Sequence, residues 1–323
     1  MKTVVNRFYH QLDNIHVEER TLPALNDAEV LIKVHGAALN KSDLLLALGK
    51  PFMIKLMYGL KHPKKIYPGS DFAGEIVSVG SKVTHFKPGD MVFGDLSGAG
   101  FGAFSAFVIA PESKVWFMPK GYSYLEAAAM PMAFGTAMTA IQKVSNLKDK
   151  RVLVYGGSGG VGRFLVQAAL FLGAKVTVVC SQKHFNDLKQ IGVTDLLDYA
   201  DPNFLLKPNA YDVIFAVNGY QTMKSYAKAL VRGGQCIVIG GSGKQLFGAM
   251  SLGPFYALFK HKKFISVIAS TGHETLQSIT SIANQTKIDV QIGQVYALSQ
   301  ASQAYTDFNE HIYAGKYLFD LNL

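Results

Sequence analysis

Cysteine is scarce: the 323 residues contain two, Cys180 and Cys236, with no CxxC pair. A structural zinc lobe of four cysteines is therefore excluded. Each cysteine sits inside an apolar run that reads as a buried strand, where it serves as a small hydrophobe. Long apolar segments are also missing. The N-terminus, MKTVVNRFYHQLD, lacks the continuous apolar stretch of a signal peptide, and the uncharged stretch from Ala127 to Gln142 is interrupted by Pro131 and Gly135. The expectation is a soluble, cytoplasmic protein. Acids are short relative to bases, 23 against 32, for a net charge of +9. That balance suits nucleic acid, an anionic membrane surface or phosphorylated ligands, and does not choose among them. The nine histidines show no HxxxH metal spacing, and His35, inside a strand pattern, reads as a packed residue. No internal repeat or low-complexity linker is present.

What is present is a core-forming composition, 49% hydrophobic, at a length that suggests two domains. From Val4 to about Lys120 short β-rich runs, EVLIKVHGAAL, FAGEIVSVG, DMVFGDL and AFSAFVIAP, alternate with Gly, Pro and Asp turn signals. From about Gly121 strands alternate with amphipathic helices, which implies right-handed crossovers and a parallel sheet. Six strand candidates follow, at residues 151–155, 175–180, 195–199, 211–217, 235–240 and 264–270, the strand count of a complete dinucleotide-binding fold. The tail carries a helical stretch, SQASQAYTDFNEHI, and a closing strand, KYLFDLNL, that would most simply return to the first domain.

The stretch VYGGSGGVGRFLVQAAL supplies the strongest single motif. Gly157, Gly159 and Gly162 have GxGxxG spacing after a continuous strand, and Val161, Phe164, Leu165, Ala168 and Leu172 then recur at helical positions. Gly157 is expected to permit the tight turn, Gly159 to let backbone approach a pyrophosphate, and Gly162 to let the helix pack on the strand. The loop residues Ser158, Gly160 and Val161 join them at a helix N-terminus that faces the anion. In an NAD site an acid about twenty residues on accepts from the ribose hydroxyls. Here the second strand ends Cys180-Ser181-Gln182-Lys183. A carboxylate would repel a 2′-phosphate, whereas Ser181 donates a hydrogen bond and Lys183 brings charge, so the cofactor expected is NADPH. Tyr199, at the end of the third strand, is expected near the adenosine.

These blocks, with GAALNKSDLLLALGK, PGSDFAGEIVSVGSKVTHFKPGDMVFG, GAFSAFVIAP and EAAAMPMAFGTAMTAI in family order, resemble the medium-chain dehydrogenase/reductase family, related to alcohol dehydrogenases. The likeness is closest to its zinc-free quinone oxidoreductase branch, zeta-crystallin-like and alkenal-reductase-like. The resemblance implies a GroES-like catalytic domain from residues 1–122 and 271–323, beside a Rossmann domain at 123–270 with a doubly wound six-stranded parallel sheet. It places the nicotinamide near Thr136, and adds Asn218 and Gly240 to the candidate cofactor contacts.

Zinc members of that family carry a cysteine in the block where this chain has Asn40 (LNKSD), and a His-Glu pair where it has Ser70-Asp71 (PGSD). Amide and hydroxyl do not replace thiolate and imidazole on zinc, so no zinc is expected. The chemistry implied is hydride delivery to an acceptor already electrophilic, a quinone or the β-carbon of an α,β-unsaturated carbonyl. Asn40 is the polar group expected to face the acceptor's oxygen, and Asp43 is expected to hold the loop or the ribose. An apolar pocket of Phe52, Tyr58, Tyr67 and Phe134 is expected, with Tyr58 or Tyr67 or water as proton source. Similar enzymes also imply a homodimer.

Two other readings remain open. Some relatives bind RNA or serve as structural proteins, but the chain lacks interleaved aromatic and basic RNA motifs, so a non-catalytic NADPH-binding role is the alternative and nucleic acid is not expected. The basic, apolar segments 51–65 (with KLMYGLKHPKK) and 247–263 (ending KHKK) would suit a peripheral membrane contact, yet their spacing gives no convincing amphipathic face.

Overall fold

The computed structural model describes residues 1–219, 221–240, 248, 256, 261–267 and 271–323. Most of the segment 247–263 and the end of the sixth expected strand, 268–270, lie outside the described residues. The chain divides into two compact units, 1–133 with 271–323, and 134–270.

The first unit starts with a hairpin-like pair, β1 (Lys2–Val5) and β2 (His16–Glu19). Next comes β3 (Glu29–Leu39), whose inward side chains alternate at Val30, Ile32 and Val34 before a continuously buried stretch, Ala37 to Leu39. The change of pattern marks where a second layer covers the strand. That layer includes a short helix beginning at Tyr124, and Gly36 admits it: a Cβ there would lie 2.9 Å from the Tyr124 carbonyl oxygen. After β3 come α1 (Lys41–Leu48), α2 (Phe52–Tyr58), β4 (Asp71–Val79), β5 (Met91–Asp95), β6 (Phe107–Pro111), β7 (Val115–Phe117) and α3 (Tyr124–Ala128).

The second unit opens with most of α4 (Pro131–Ile141), which the division crosses, then β8 (Arg151–Tyr155), α5 (Gly160–Phe171), β9 (Lys175–Cys180), α6 (Phe185–Gln190), β10 (Asp195–Asp198), β11 (Tyr211–Ala216), α7 (Met223–Ala229), β12 (Leu230–Val238) and β13 (Lys263–Ser266). The sheet is parallel throughout, in the order β10-β9-β8-β11-β12-β13. Numbered from β8 this is 3-2-1-4-5-6, the doubly wound order, whose switch point lies between β8 and β11. Its central strands are buried on both faces, and so read as unbroken apolar runs such as VLVY. Cys180 and Cys236 are both buried in this sheet.

The tail rejoins the first unit through α8 (His273–Gln285), β14 (Ile292–Tyr296), α9 (Ala301–Glu310) and β15 (Lys316–Asp320). The larger sheet there runs β14-β15-β3-β4-β5-β7, with β6 also on β3. In register, Tyr317 faces Leu39 and Asp71 faces Ala38. The end of β3 is thus flanked by Lys316 on one side and Asp71 on the other, and Asp71 in turn faces Asp95.

Candidate active site and nucleotide site

In the first unit the end of β3 delivers Asn40 as the N-cap of α1. Its amide does not cap the helix. The Oδ1 accepts from the Lys316 ammonium at 2.5 Å, while Nδ2 donates to Asp71 Oδ2 at 2.9 Å and, at 3.3 Å, to the Ala38 carbonyl. An ammonium only donates and a carboxylate accepts, so the two neighbours fix which way the amide points. Asp71 also accepts from the Met132 N–H with both oxygens, at 3.1 Å. Asp43 takes the Asn40 N–H at 2.8 Å and so holds the turn into the helix.

All four polar side chains are nearly removed from water, with Asn40 and Lys316 6% exposed, Asp43 1% and Asp71 0%. Burial dominates the electrostatics. It pushes the Asp43 carboxyl up to about 7, against the opposing Asn40 N–H and Lys316 charge. It raises Asp71 well above the carboxylate range, helped by Asp95 and resisted by Lys316. It lowers Lys316, which Asp71 and Asp43 pull back. One buried cation thus serves two buried carboxyls, Asp43 and Asp71, and burial favours the protonated form of each. Three buried polar atoms nearby, Asp43 Oδ1, Ser70 Oγ and the Tyr305 hydroxyl, have no hydrogen-bond partner. Asp43 borders a cavity of about 20 Å³ shared with Tyr9, Tyr58 and Tyr67, room for one water.

This donor set does not fit a catalytic zinc. Asn40 stands opposite an ammonium that would repel a dication, and Ser70 is a hydroxyl. Among the described residues no group of three or more His, Cys, Asp or Glu is placed to hold a metal.

The expected pocket is only partly assembled. Tyr58 and Tyr67 line the small cavity, Tyr58 edge-on to Phe101 and Tyr67 beneath the Arg20 guanidinium at 3.9 Å. Phe52 does not line it and is 65% exposed. Phe134 is a correction: it belongs to the other unit's core, 0% exposed and stacked on Phe164 at 5.0 Å, so its ring has no free face for a substrate. Asp43 is likewise too deeply buried to reach a ribose. His35 stacks on Tyr124.

In the second unit the glycine loop joins β8 to α5 at the switch point. The tight turn falls one residue earlier than expected, at Gly156 with φ +87°, where a Cβ would meet the Asn218 N at 2.8 Å. At Gly157 a Cβ would press on Val178 at 2.5 Å. Gly162 is enforced by backbone, since a Cβ would lie 2.2 Å from the Gly156 oxygen. Gly159 differs: its φ of −78° suits any residue, and its Cβ would find nothing nearer than 3.8 Å. The protein itself leaves that space open, and the exposed Gly159 and Gly160, with Ser158 and Val161 half-buried, border it. The first-turn N–H groups of α5 have no intrahelical acceptor, and the loop therefore fits a dinucleotide pyrophosphate.

Parallel pairing brings the remaining candidates to the same end of the sheet. Ser181 follows β9, with the exposed Lys183 in the next turn, and Tyr199, 54% exposed, follows β10 beside Cys180. Asn218 follows β11 and is exposed, and the half-buried Gly240 follows β12 with its N–H on the Ala216 oxygen at 3.3 Å. Thr136 is half-buried on α4. Sequence reasoning missed one cation, Arg163, 8% exposed in the first turn of α5. It and the expected Lys183 both depress the basicity of His184, after burial itself, so all three lie within electrostatic reach of one another. Arg163 was legible only as a polar break in an apolar helix face.

A doubly wound sheet with this loop, in a chain whose other unit is built on a mostly antiparallel sheet, is the organisation of the nicotinamide-dependent oxidoreductases. Residues 26–120 match the alcohol dehydrogenase GroES-like domain, and residues 160–284 match the zinc-binding dehydrogenase domain. The chloroplast envelope quinone oxidoreductase homolog of Arabidopsis thaliana is 30% identical over 88% of this chain and 87% of its own. The 2-methylene-furan-3-one reductase of Solanum lycopersicum is 34% identical over 72% of this chain, a match that spans 61% of that protein. The quinone oxidoreductase structure from Coxiella burnetii superposes with a TM-score of 0.85 at 24% identity, over 99% of both chains. The chain belongs to the medium-chain dehydrogenase/reductase superfamily, in its zinc-free quinone oxidoreductase branch.

Proposed function

We propose that the protein uses NADPH to reduce quinones or the C=C bond of α,β-unsaturated carbonyls, without a metal. The observation that carries this reading is the pairing of an open glycine cradle at Gly159 with a cationic, acid-free turn at Ser181 and Lys183, reinforced by Arg163. The nearest carboxylate in register, Asp198, faces Cys180 and is occupied by the Ala200 N–H at 2.9 Å. Relatives named as a quinone oxidoreductase homolog and an NADPH-dependent alkenal/one oxidoreductase support the acceptor class.

The bound nicotinamide supplies hydride. The chain's own residues bind, orient and manage charge. Lys316 and Asp71 hold the Asn40 amide rigid, and its one weakly used hydrogen, on the Ala38 carbonyl at 3.3 Å, is the donor available to an acceptor's oxygen. Such a preorganised donor acts where negative charge develops. Asp43, held near 7 beside the water-sized cavity, is the group able to carry a proton toward Tyr58 or Tyr67. A homodimer and a cytoplasmic location complete the reading; the names of several relatives carry chloroplastic or mitochondrial locations, and light scattering and cell fractionation test the two points. Product analysis by mass spectrometry tests the chemistry: a saturated ketone from an enone, or a hydroquinone from a quinone, is expected, and an allylic alcohol from the enone would overturn it.

A further inference from the structure

The helix α2 is inside out. At 100° per residue, Phe52, Leu56, Met53 and Met57 fall within one arc of about 140°, and that arc faces solvent: they are 65%, 54%, 59% and 66% exposed. Leu60, just past the helix, extends the stripe at 61% exposed. The opposite face carries the packing. Tyr58 sits edge-on to Phe101, the Lys55 ammonium lies over the Tyr9 ring at 5.2 Å, and the Tyr9 hydroxyl donates to the Gly59 carbonyl at 2.9 Å. The apolar face is therefore turned outward by a docked helix rather than by a loose one.

The segment that carries the stripe is charged with one sign. Between Asp43 and Asp71 the sequence has no acid, and it carries Lys50, Lys55, Lys61, Lys64 and Lys65. All but Lys55 are exposed. Large apolar patches on a folded protein mark contact surfaces, and an apolar stripe on a segment whose lysines face no acid of their own segment complements a surface that is both apolar and anionic. Among the described residues no helix is long and apolar enough to cross a membrane, so such a contact would lie on the bilayer.

We infer that the stripe of α2 and its lysine rim form a docking surface for the headgroup region of an anionic lipid bilayer. The side chains of Phe52, Met53, Leu56, Met57 and Leu60 enter the interface, and Lys61, Lys64 and Lys65 meet the headgroups. This inference does not rest on which acceptor the enzyme reduces.

The test is co-sedimentation of the full chain with phosphatidylcholine vesicles, with and without phosphatidylglycerol, at low and at 0.5 M salt. Binding is expected to the anionic vesicles at low salt, weakened at high salt. The triple variant Met53→Ser, Leu56→Ser, Met57→Ser is expected to lose at least about tenfold in partition while keeping the wild-type melting temperature. The variant Lys61→Gln, Lys64→Gln, Lys65→Gln keeps the stripe and is expected to lose about fivefold per lysine. Absence of sedimentation, equal binding to neutral vesicles, or undiminished binding by both variants overturns the inference. So does a dimer, seen by light scattering without vesicles, that the serine variant converts to monomer, because the stripe then belongs to a second copy of the chain.

Discussion

Replacing Lys316 by methionine removes the one cation in a buried group of carboxyls while keeping the length of the side chain. Wild-type Asp43 already illustrates the cost of charge at this place. Its pKa is raised from 3.8 to about 7, and about three pH units correspond to about 4 kcal/mol between its two protonation states. Because the folded value lies above the unfolded one, the protonated form stabilises the fold. That contribution is complete below about pH 4 and is lost as the pH rises through about 7. Without Lys316, Asp43 and Asp71 lose the charge that opposes their desolvation, and both rise further. Asn40 Oδ1 also loses its ammonium donor. Leaving one side of a buried ion pair costs about 3–5 kcal/mol, and protonation of the carboxyls relieves it. The variant is therefore expected to be less stable than wild type by about 3 kcal/mol at pH 8, and by clearly less at pH 5. Urea unfolding read by the single tryptophan, Trp116 of β7, reports on this unit. Equal losses at the two pH values, or no loss at pH 8, would refute the argument that Lys316 neutralises this cluster.

Gly159→Ala is expected to keep the wild-type melting temperature yet weaken NADPH binding at least about tenfold, since its Cβ meets no protein atom within 3.4 Å but fills the anion cradle. Gly162→Ala is expected to unfold more easily, by about 2 kcal/mol or more, because its Cβ would overlap the Gly156 oxygen; thermal melts and fluorescence titration separate the pair. Lys183→Ala is expected to weaken NADPH about tenfold with little effect on NADH, the scale of one partly solvated charge-assisted bond, and an unchanged NADPH titration removes Lys183 from the site. Phe134→Ala is expected to cost about 3–5 kcal/mol in the second unit, as a fully buried, stacked aromatic should; a melt within 2 °C of wild type would return the ring to the pocket.

The nucleotide unit was largely legible because its signals are local. Strand, glycine loop and helix follow one another within thirty residues, and the strands expected at 151–155 and 175–180 are β8 and β9. Even there spacing misplaced the left-handed turn by one residue, since Gly156 and Gly157 are both glycine and only the Asn218 backbone tells them apart. The polar cluster was half legible. Asn40, Asp43 and Asp71 stand in recognisable blocks, but Lys316 lies 276 residues from Asn40 in a segment that reads only as a closing strand. Register, not pattern, brings it there. The face of α2 was hidden for another reason. Its sequence is apolar nearly all round, so periodicity could not say which side would pack, and Tyr9 and Phe101 made that choice through contacts distant in sequence.

The central claim is NADPH-dependent reduction without a metal, and initial rates of NADPH and NADH oxidation by chelator-treated protein, with a simple aromatic quinone and a medium-chain enone supplied separately, test it most directly. The account predicts turnover that survives chelation and prefers NADPH. Turnover that is lost on chelation and restored by zinc, or that prefers NADH, would contradict it.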